Sequence, residues 1–275
     1  MTGWIIYSKE DVEKNKRYIQ MYVEKFAKFH VKIKTVIIQE IIDIENLLEI
    51  DNPKFAINRS RENDIAKELE KRGVRVFNSS KVTEIANNKA ATYELLKNVV
   101  PFMPVRYGRK KIISGIWGSH FSYPYIIKSC SGHGGSQVFM VSDEKTEREA
   151  LSFLQGEDYL IQKSCSDLGK DVRVYVVGNK IVASMLRTST ESFKSNYSLG
   201  GKAEVYELNE EEKRMVKAIT EKLPMDYAGI DFIFHNGRAV FNEIEDAVGA
   251  RMLYAVAGPD IVSLFVDYIV QVLGI

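Results

Sequence analysis

A chain of 275 residues with 45% apolar and 27% charged side chains can bury a large core, and its composition excludes a disordered or fibrous protein. With 38 basic residues against 37 acidic ones the formal charge is +1, without the basic excess or stripe that marks nucleic-acid binders; the KNKR run at Lys14–Arg17 and the RKK run at Arg109–Lys111 are short and read as solvated faces or turns. Cys130 and Cys165 stand far apart with no metal-type spacing, no apolar run approaches the ~20 residues of a membrane span, and WIIYSKEDVEKNK meets charge too early for a signal peptide, so a reduced, cytoplasmic location is expected.

In chain order, Trp4–Tyr7 reads as a buried strand. Glu10–Phe29, with Val12, Tyr18, Ile19, Tyr22, Val23 and Phe26 spaced closer to 3.6 than to 2, reads as a helix. Val31–Ile38 is a β-branched strand and Phe55–Asn58 another. Asp64–Lys71 is helical and stops at Gly73, Val74–Phe77 is a strand, and Thr83–Lys97 is a helix. That succession predicts a parallel sheet covered by helices. Beyond Pro101 and Pro104 the rhythm changes. Strands Tyr125–Lys128 and Val138–Val141 flank the loop Ser129–Gln137, and helix Glu144–Leu154 and strand Tyr159–Gln162 follow. Val172–Val177 and Lys180–Leu186 bracket the turn Gly178-Asn179, Glu210–Glu221 is a helix, Ala228–His235 and Ala239–Ile244 bracket Asn236-Gly237, and Asp260–Leu273 is the last helix, with proline at its start. The pattern divides into an N-terminal α/β layer (residues 1–100), a small central α+β module (101–163) and a C-terminal β-rich module (164–275).

Two constellations carry chemistry. In PYIIKSCSGHGGSQVFMV (Pro124–Val141), Gly132, Gly134 and Gly135 let backbone N–H groups approach phosphate oxygens, and Lys128 supplies a point charge. The alternative is a plain hairpin loop, and the GxxxxGK[ST] pattern of a P-loop is absent. In YAGIDFIFHNGRAVFNEIED (Tyr227–Asp246), Asp231 sits on one strand, and Glu243 and Glu245, two apart, share a face of the other. Three converging carboxylates repel unless a cation lies between them, and Mg²⁺ with triphosphate oxygens suits oxygen ligands. His133 in the loop reads as solvent-facing, and the cysteines as structural thiols.

The order of these parts resembles the ATP-grasp superfamily and, within it, the RimK-like amino-acid ligases, which add glutamate to a protein C-terminus or to small peptide-like cofactors. Five segments carry the resemblance: NKAAT at Asn88–Thr92, PYIIKSCSGHGGSQV, LIQKSC, DVRVYVVGNKIVASMLR with FKSNYSLGG at Phe193–Gly201, and AGIDFIF with NEIE. The resemblance implies an ATP-grasp fold with an N-terminal parallel α/β domain, a central clamp domain and a C-terminal β-rich domain. It implies that Lys89 and Lys128 contact ATP phosphates beside Gly132, Gly134, Gly135 and Ser136. Lys163 and Ser164 would lie against adenine, Asp171 near the ribose, and Lys194, Ser195 and Asn196 by the triphosphate. Asp231, Glu243 and Glu245 would hold Mg²⁺, or Mn²⁺ in its place. Arg173 and Arg187, with Asn196, are candidates for the acyl phosphate or substrate carboxylate, against the alternative of solvated strand arginines. The chain departs from the family pattern at Glu245, where asparagine is usual, at Asp246-Ala247-Val248-Gly249 in place of a small residue, Ser, x, Pro, Gly, and at Lys163 in place of glutamate. Arg251, just beyond, would either bind the substrate carboxylate or pair with Asp246.

The implied activity joins a carboxylate to an amine through an acyl phosphate, with small-molecule or peptide substrates, no nucleic acid, no membrane partner and homo-oligomerisation left open. A ligase acting on a ribosomally made peptide and a non-catalytic ATP-binding regulator are the alternatives.

Overall fold

The run of apolar residues in β1 (Thr2–Tyr7) is buried because a parallel sheet with helices on its faces leaves a central strand no solvent side. The computed structural model describes residues 1–108, 121–190, 192–195 and 201–275; Arg109–Lys111 and Asn196 lie outside them. β1 lies between β2 (Lys32–Ile37) and β3 (Phe55–Asn58), and β4 (Arg75–Phe77) completes an all-parallel sheet in the order β2-β1-β3-β4. The helix expected over Glu10–Phe29 is two, α1 (Lys9–Lys14) and α2 (Lys16–Ala27). At the break the Asn15 side-chain amide donates to the Asp11 carbonyl at 2.7 Å, alongside the Asn15 backbone N–H at 3.0 Å, and Asn15 leaves the helical conformation with φ −114° and ψ 15°. An unforeseen helix, α3 (Ile44–Asp51), is capped by Asp43, and α4 (Asn63–Lys71) connects β3 to β4.

The helix expected over Thr83–Lys97 is also broken, into α5 (Ser80–Ala86) and α6 (Lys89–Leu96). The Asn87 amide bonds the Thr83 carbonyl at 2.9 Å, and Asn88 caps α6 through its Oδ1 at 3.1 Å from the Ala91 N–H. The break puts Lys89 in the first turn of a new helix, with its own N–H on the Cys130 carbonyl at 2.9 Å.

The central sheet is antiparallel, in the order β5-β8-β6-β7: β5 (Val105–Gly108), which the sequence pattern did not reveal, then β8 (Tyr159–Lys163), β6 (Tyr125–Ser129) and β7 (Val138–Val141). Helix α7 (Glu144–Phe153) packs Ala150 against Tyr125, Ile127 and Ile161.

The third sheet, order β11-β10-β9-β12-β13, positions the site. Its strands are β9 (Asp167–Val177), β10 (Lys180–Thr188), β11 (Lys202–Val205), β12 (Tyr227–His235) and β13 (Arg238–Glu245). Period-2 alternation divides its faces. Val172, Val174, Val176, Ala228, Ile230 and Phe232 pack under α8 (Glu210–Lys222). Asp171, Arg173 and Asp231 occupy the opposite phase, where Tyr175, Val177 and Tyr227 meet α10 (Ile261–Leu273). Pro259 precedes the cap of α10 and does not open it; Asp260 is the capping residue. α10 and a short helix, α9 (Arg251–Ala255), share one apolar cluster with α2 and the N-terminal sheet, so this face of the third sheet is covered by the first layer of the chain. No helix of the described residues is long and apolar enough to cross a membrane.

Candidate active site

β-strand register brings the acidic residues together. Asp231 stands opposite Glu243 on β13 and opposite Arg173 on β9, while Glu245 stands opposite Gly229. Oxygens of Asp231, Glu243 and Glu245 lie within 4.8 Å of one another. The repulsion is relieved by arginines. Arg173 grips Asp231 through Nε and Nη2 at 2.8 and 2.7 Å and reaches Glu245 through Nη1 at 2.7 Å. Arg187 holds Asp171 through Nε and Nη2, both at 2.6 Å, and touches Asp231 at 2.6 Å. Both arginines are buried, so the alternative of solvated strand arginines does not apply. Gly229 leaves the channel for Arg173: a Cβ there would lie 2.7 Å from Val248 Cγ2 and 3.5 Å from Arg173 Cδ.

Burial opposes ionisation of Asp231, but Arg173 and Arg187 outweigh it and hold the carboxyl well below its usual range. Burial pushes the carboxyls of Asp171 and Glu245 up, against the pull of Arg187 and Arg173 respectively.

Above this face lies the β6–β7 hairpin. Lys128 is 3% exposed, and its Nζ donates to Tyr93 Oη at 3.2 Å and to Asn242 Oδ1 at 3.1 Å. Asn242 reaches it because the β12–β13 register slips beside Asp231. Burial pulls the Lys128 ammonium down to about 7, against the attraction of Glu243 and with help from Lys89. Its positive charge is lost as pH rises through that value. Affinity for a polyphosphate is therefore expected to weaken roughly tenfold between about pH 6.5 and 8.5. Calorimetric titration checks this, and Lys128→Arg, always charged, should flatten the slope.

Lys89 donates to the Gly132 carbonyl and stands 3.6 Å from Glu243 Oε2. Gly134 and Gly135 turn the loop with φ of +64° and +78°, which side-chain-bearing residues adopt at a cost. Lys194 Nζ donates to the Gly135 carbonyl at 2.6 Å, tying the 192–195 segment to the glycine loop, and Ser195 is buried beside it. One cavity of about 860 Å³ is lined by Lys89, Lys128, Gly132, Gly134, Gly135, Lys163, Asp171, Arg173, Arg187, Lys194, Ser195, Glu243 and Glu245. Ser136, Ser164 and Asp231 stay off its wall, the last because the two arginines cover it. His133 is exposed. Cys130 is buried, Cys165 is partly so, and burial pushes both thiols up, away from nucleophilic use. Asp246 bonds the amides of Asn78 and Asn87 at 2.6 and 3.2 Å, while Arg251 is exposed on the cavity wall.

Asn242 stands at the head of the NEIE motif, which gave it no role there; the motifs gave no sign of Tyr93, which with Asn242 holds Lys128, or of Tyr7, Tyr18, Arg59 and Arg61, which close the cavity from the N-terminal layer. A signal for the last group existed: Tyr7 ends β1, and Arg59 and Arg61 follow β3, the carboxyl ends at which open parallel sheets bind ligands.

A family model described as the RimK-like ATP-grasp domain matches residues 86–269. The chain is 30% identical over 254 residues to the uncharacterized protein MG011 of Mycoplasma genitalium, covering 90% of this chain and 85% of that one. It is 31% identical over 230 residues to N-acetylaspartylglutamate synthase A of Homo sapiens, covering 80% of this chain and 59% of the human protein. Among solved structures, D-alanine–D-alanine ligase of Bacillus anthracis complexed with ATP superposes with a TM-score of 0.76 over 98% of this chain and 96% of the ligase, at 16% identity, a likeness of fold.

Proposed function

The chain belongs to the RimK-like ATP-grasp family, whose members are ATP-dependent carbon–nitrogen ligases, and from that premise we propose that it couples an amino acid such as glutamate to a second substrate through an acyl phosphate, releasing ADP and phosphate. One observation carries this reading. Two buried lysines, Lys89 and Lys128, face the Glu243 and Glu245 carboxylates across a single cavity roofed by a glycine loop. The human relative is by its name a synthase of a glutamate-containing compound, which supports an amino acid as one substrate.

The cavity asks little covalent chemistry of the protein. In the proposed first step a carboxylate oxygen attacks the γ-phosphorus of ATP and ADP leaves; in the second an amine attacks the acyl carbon and phosphate leaves. Lys89 and Lys128 neutralise charge on the phosphoryl oxygens, and the Gly134-Gly135 backbone offers N–H groups to them. The Lys194 contact with Gly135 draws the loop over the site and limits water that would hydrolyse the acyl phosphate. Glu243 and Glu245 are partly exposed and can hold a hard dication, and Asp231, which accepts three hydrogen bonds from the arginines, would join them through its one remaining lone-pair site where an arginine gives way. Mg²⁺ held there, or Mn²⁺, would polarise the terminal phosphoryl oxygens. Arg173 and Arg187 fix the metal-facing carboxylates and hold no substrate directly while those pairs persist.

Hydroxylamine tests the acyl phosphate. With ATP, Mg²⁺ and a panel of amino acids, formation of a hydroxamate alongside ADP is expected. ADP release with no hydroxamate across the panel would instead make the chain a regulatory ATPase.

A further inference from the structure

Outside the phosphate-binding half, the cavity contains a buried guanidinium that forms no direct ion pair among the described residues; the buried Asp246 carboxylate attracts it only from a distance. Arg59 follows β3 and is 6% exposed, yet among the described residues no acidic side chain pairs with it. One nitrogen, Nη2, donates to the Val248 carbonyl at 2.7 Å, and the guanidinium lies 5.6 and 5.5 Å from the ring centres of Tyr18 and Tyr227. Its Nε has no hydrogen-bond partner. The Tyr7 hydroxyl, on the neighbouring strand, is buried close to this guanidinium and likewise makes no well-formed hydrogen bond. Arg59, Tyr7 and Tyr18 all line the cavity.

A buried guanidinium without a paired counterion is costly, and cation–π contact with two tyrosines returns only part of that cost. Such a site persists where a ligand supplies the missing anion. Its surroundings favour one. Along the wall formed by α1, α2 and the turn after β3, Lys14, Arg17, Arg59 and Arg61 stand against the single carboxylate Asp11, already taken by Arg61 at 3.1 Å. Arg61 is held at φ +66°, a left-handed conformation that a long side chain rarely adopts and that is found at ligand sites.

We propose that Arg59 and Tyr7 form the subsite that reads a free carboxylate of the amino-acid substrate, one oxygen accepting from Arg59 Nε and the other from the Tyr7 hydroxyl. A carboxylate bridging Nε and the hydroxyl supplies the missing anion and satisfies both unpaired donors at once. Val248, whose carbonyl accepts from Arg59, lies three residues beyond Glu245, and Arg59 lines the same cavity as the phosphoryl-binding lysines. The buried guanidinium favours a carboxylate over the corresponding carboxamide because only the carboxylate brings a compensating charge; the tyrosine hydroxyl, donor and acceptor, accommodates either.

The inference rests on the ligase reading but is tested by binding alone. L-glutamate, L-glutamine and L-isoglutamine are titrated calorimetrically into the chain loaded with Mg²⁺ and a non-hydrolysable ATP analogue, and into the Arg59→Lys and Tyr7→Phe variants. The parent should bind glutamate and at least one of the two amides about tenfold or more weakly. Arg59→Lys, which keeps the charge but loses the directed Nε–H, should weaken glutamate binding and narrow that discrimination, with nucleotide affinity within about twofold of the parent. Arg59→Met, which removes a buried unpaired charge, should unfold at a temperature no lower than the parent; a structural arginine would give a marked loss. Equal binding of acid and amides, discrimination unchanged in Arg59→Lys, or a nucleotide-binding chain that ignores glutamate would overturn the assignment. A chain that binds glutamate through Arg59 without binding nucleotide would keep this assignment and remove the ligase reading.

Discussion

Replacing Asp231 with alanine is expected to destabilise the fold by about 3–5 kcal/mol. The carboxylate is 1% exposed and receives three charged hydrogen bonds, two from Arg173 and one from Arg187. Its removal leaves two buried guanidinium groups with Asp171 and Glu245 as their remaining counterions, and Glu245 is already resisted by burial. Thermal unfolding should report a fall of about 10 °C or more for a chain of this size. Asp231→Asn, which keeps the shape and part of the hydrogen bonding, should lose less. An alanine variant as stable as the parent would mean that the arginine–carboxylate cluster does not organise this face of the sheet.

Glu243 presents the opposite case. It lies on the same strand face, but it is partly exposed and its ion-pair contact is with Lys89 at 3.6 Å. Little folding energy depends on so open a pair. On the proposed reading its value lies in facing the cavity where the phosphoryl charge would develop. Glu243→Gln should therefore keep the parent's unfolding temperature within a few degrees and lose about 10²- to 10⁴-fold in nucleotide turnover. The pair of variants separates two roles that the sequence presents as one acidic motif. Under that proposed reading Asp231 holds the sheet together as well as standing by the metal position, whereas Glu243 serves the site alone.

Several features were legible because local chemistry and global fold agree. The β12–β13 hairpin follows from alternation around Asn236-Gly237, and Lys128, at the end of an apolar strand before a glycine run, stands where the hairpin reading put it. Less legible were features set by competition between side chain and backbone. Asn15 and Asn87 cut long amphipathic patterns into separate helices, and the second cut aims Lys89 into the cavity. The cation needed between the acidic residues was expected from outside, but Arg173 and Arg187 supply much of it from neighbouring strands, a pairing that depends on register between residues 44 and 58 positions apart. Arg59 escaped notice for a similar reason. Its partners, Val248 and Tyr227, lie far along the chain, and no short motif encodes their meeting.

The central claim is that one cavity transfers the terminal phosphoryl group of ATP. A ³¹P spectrum of parent and Glu243→Gln, each incubated with ATP, Mg²⁺ and an amino-acid mixture, tests it most directly. The parent should convert ATP to ADP and inorganic phosphate, with little conversion by the variant over the same interval. AMP and pyrophosphate from the parent, or equal conversion by both proteins, would contradict it.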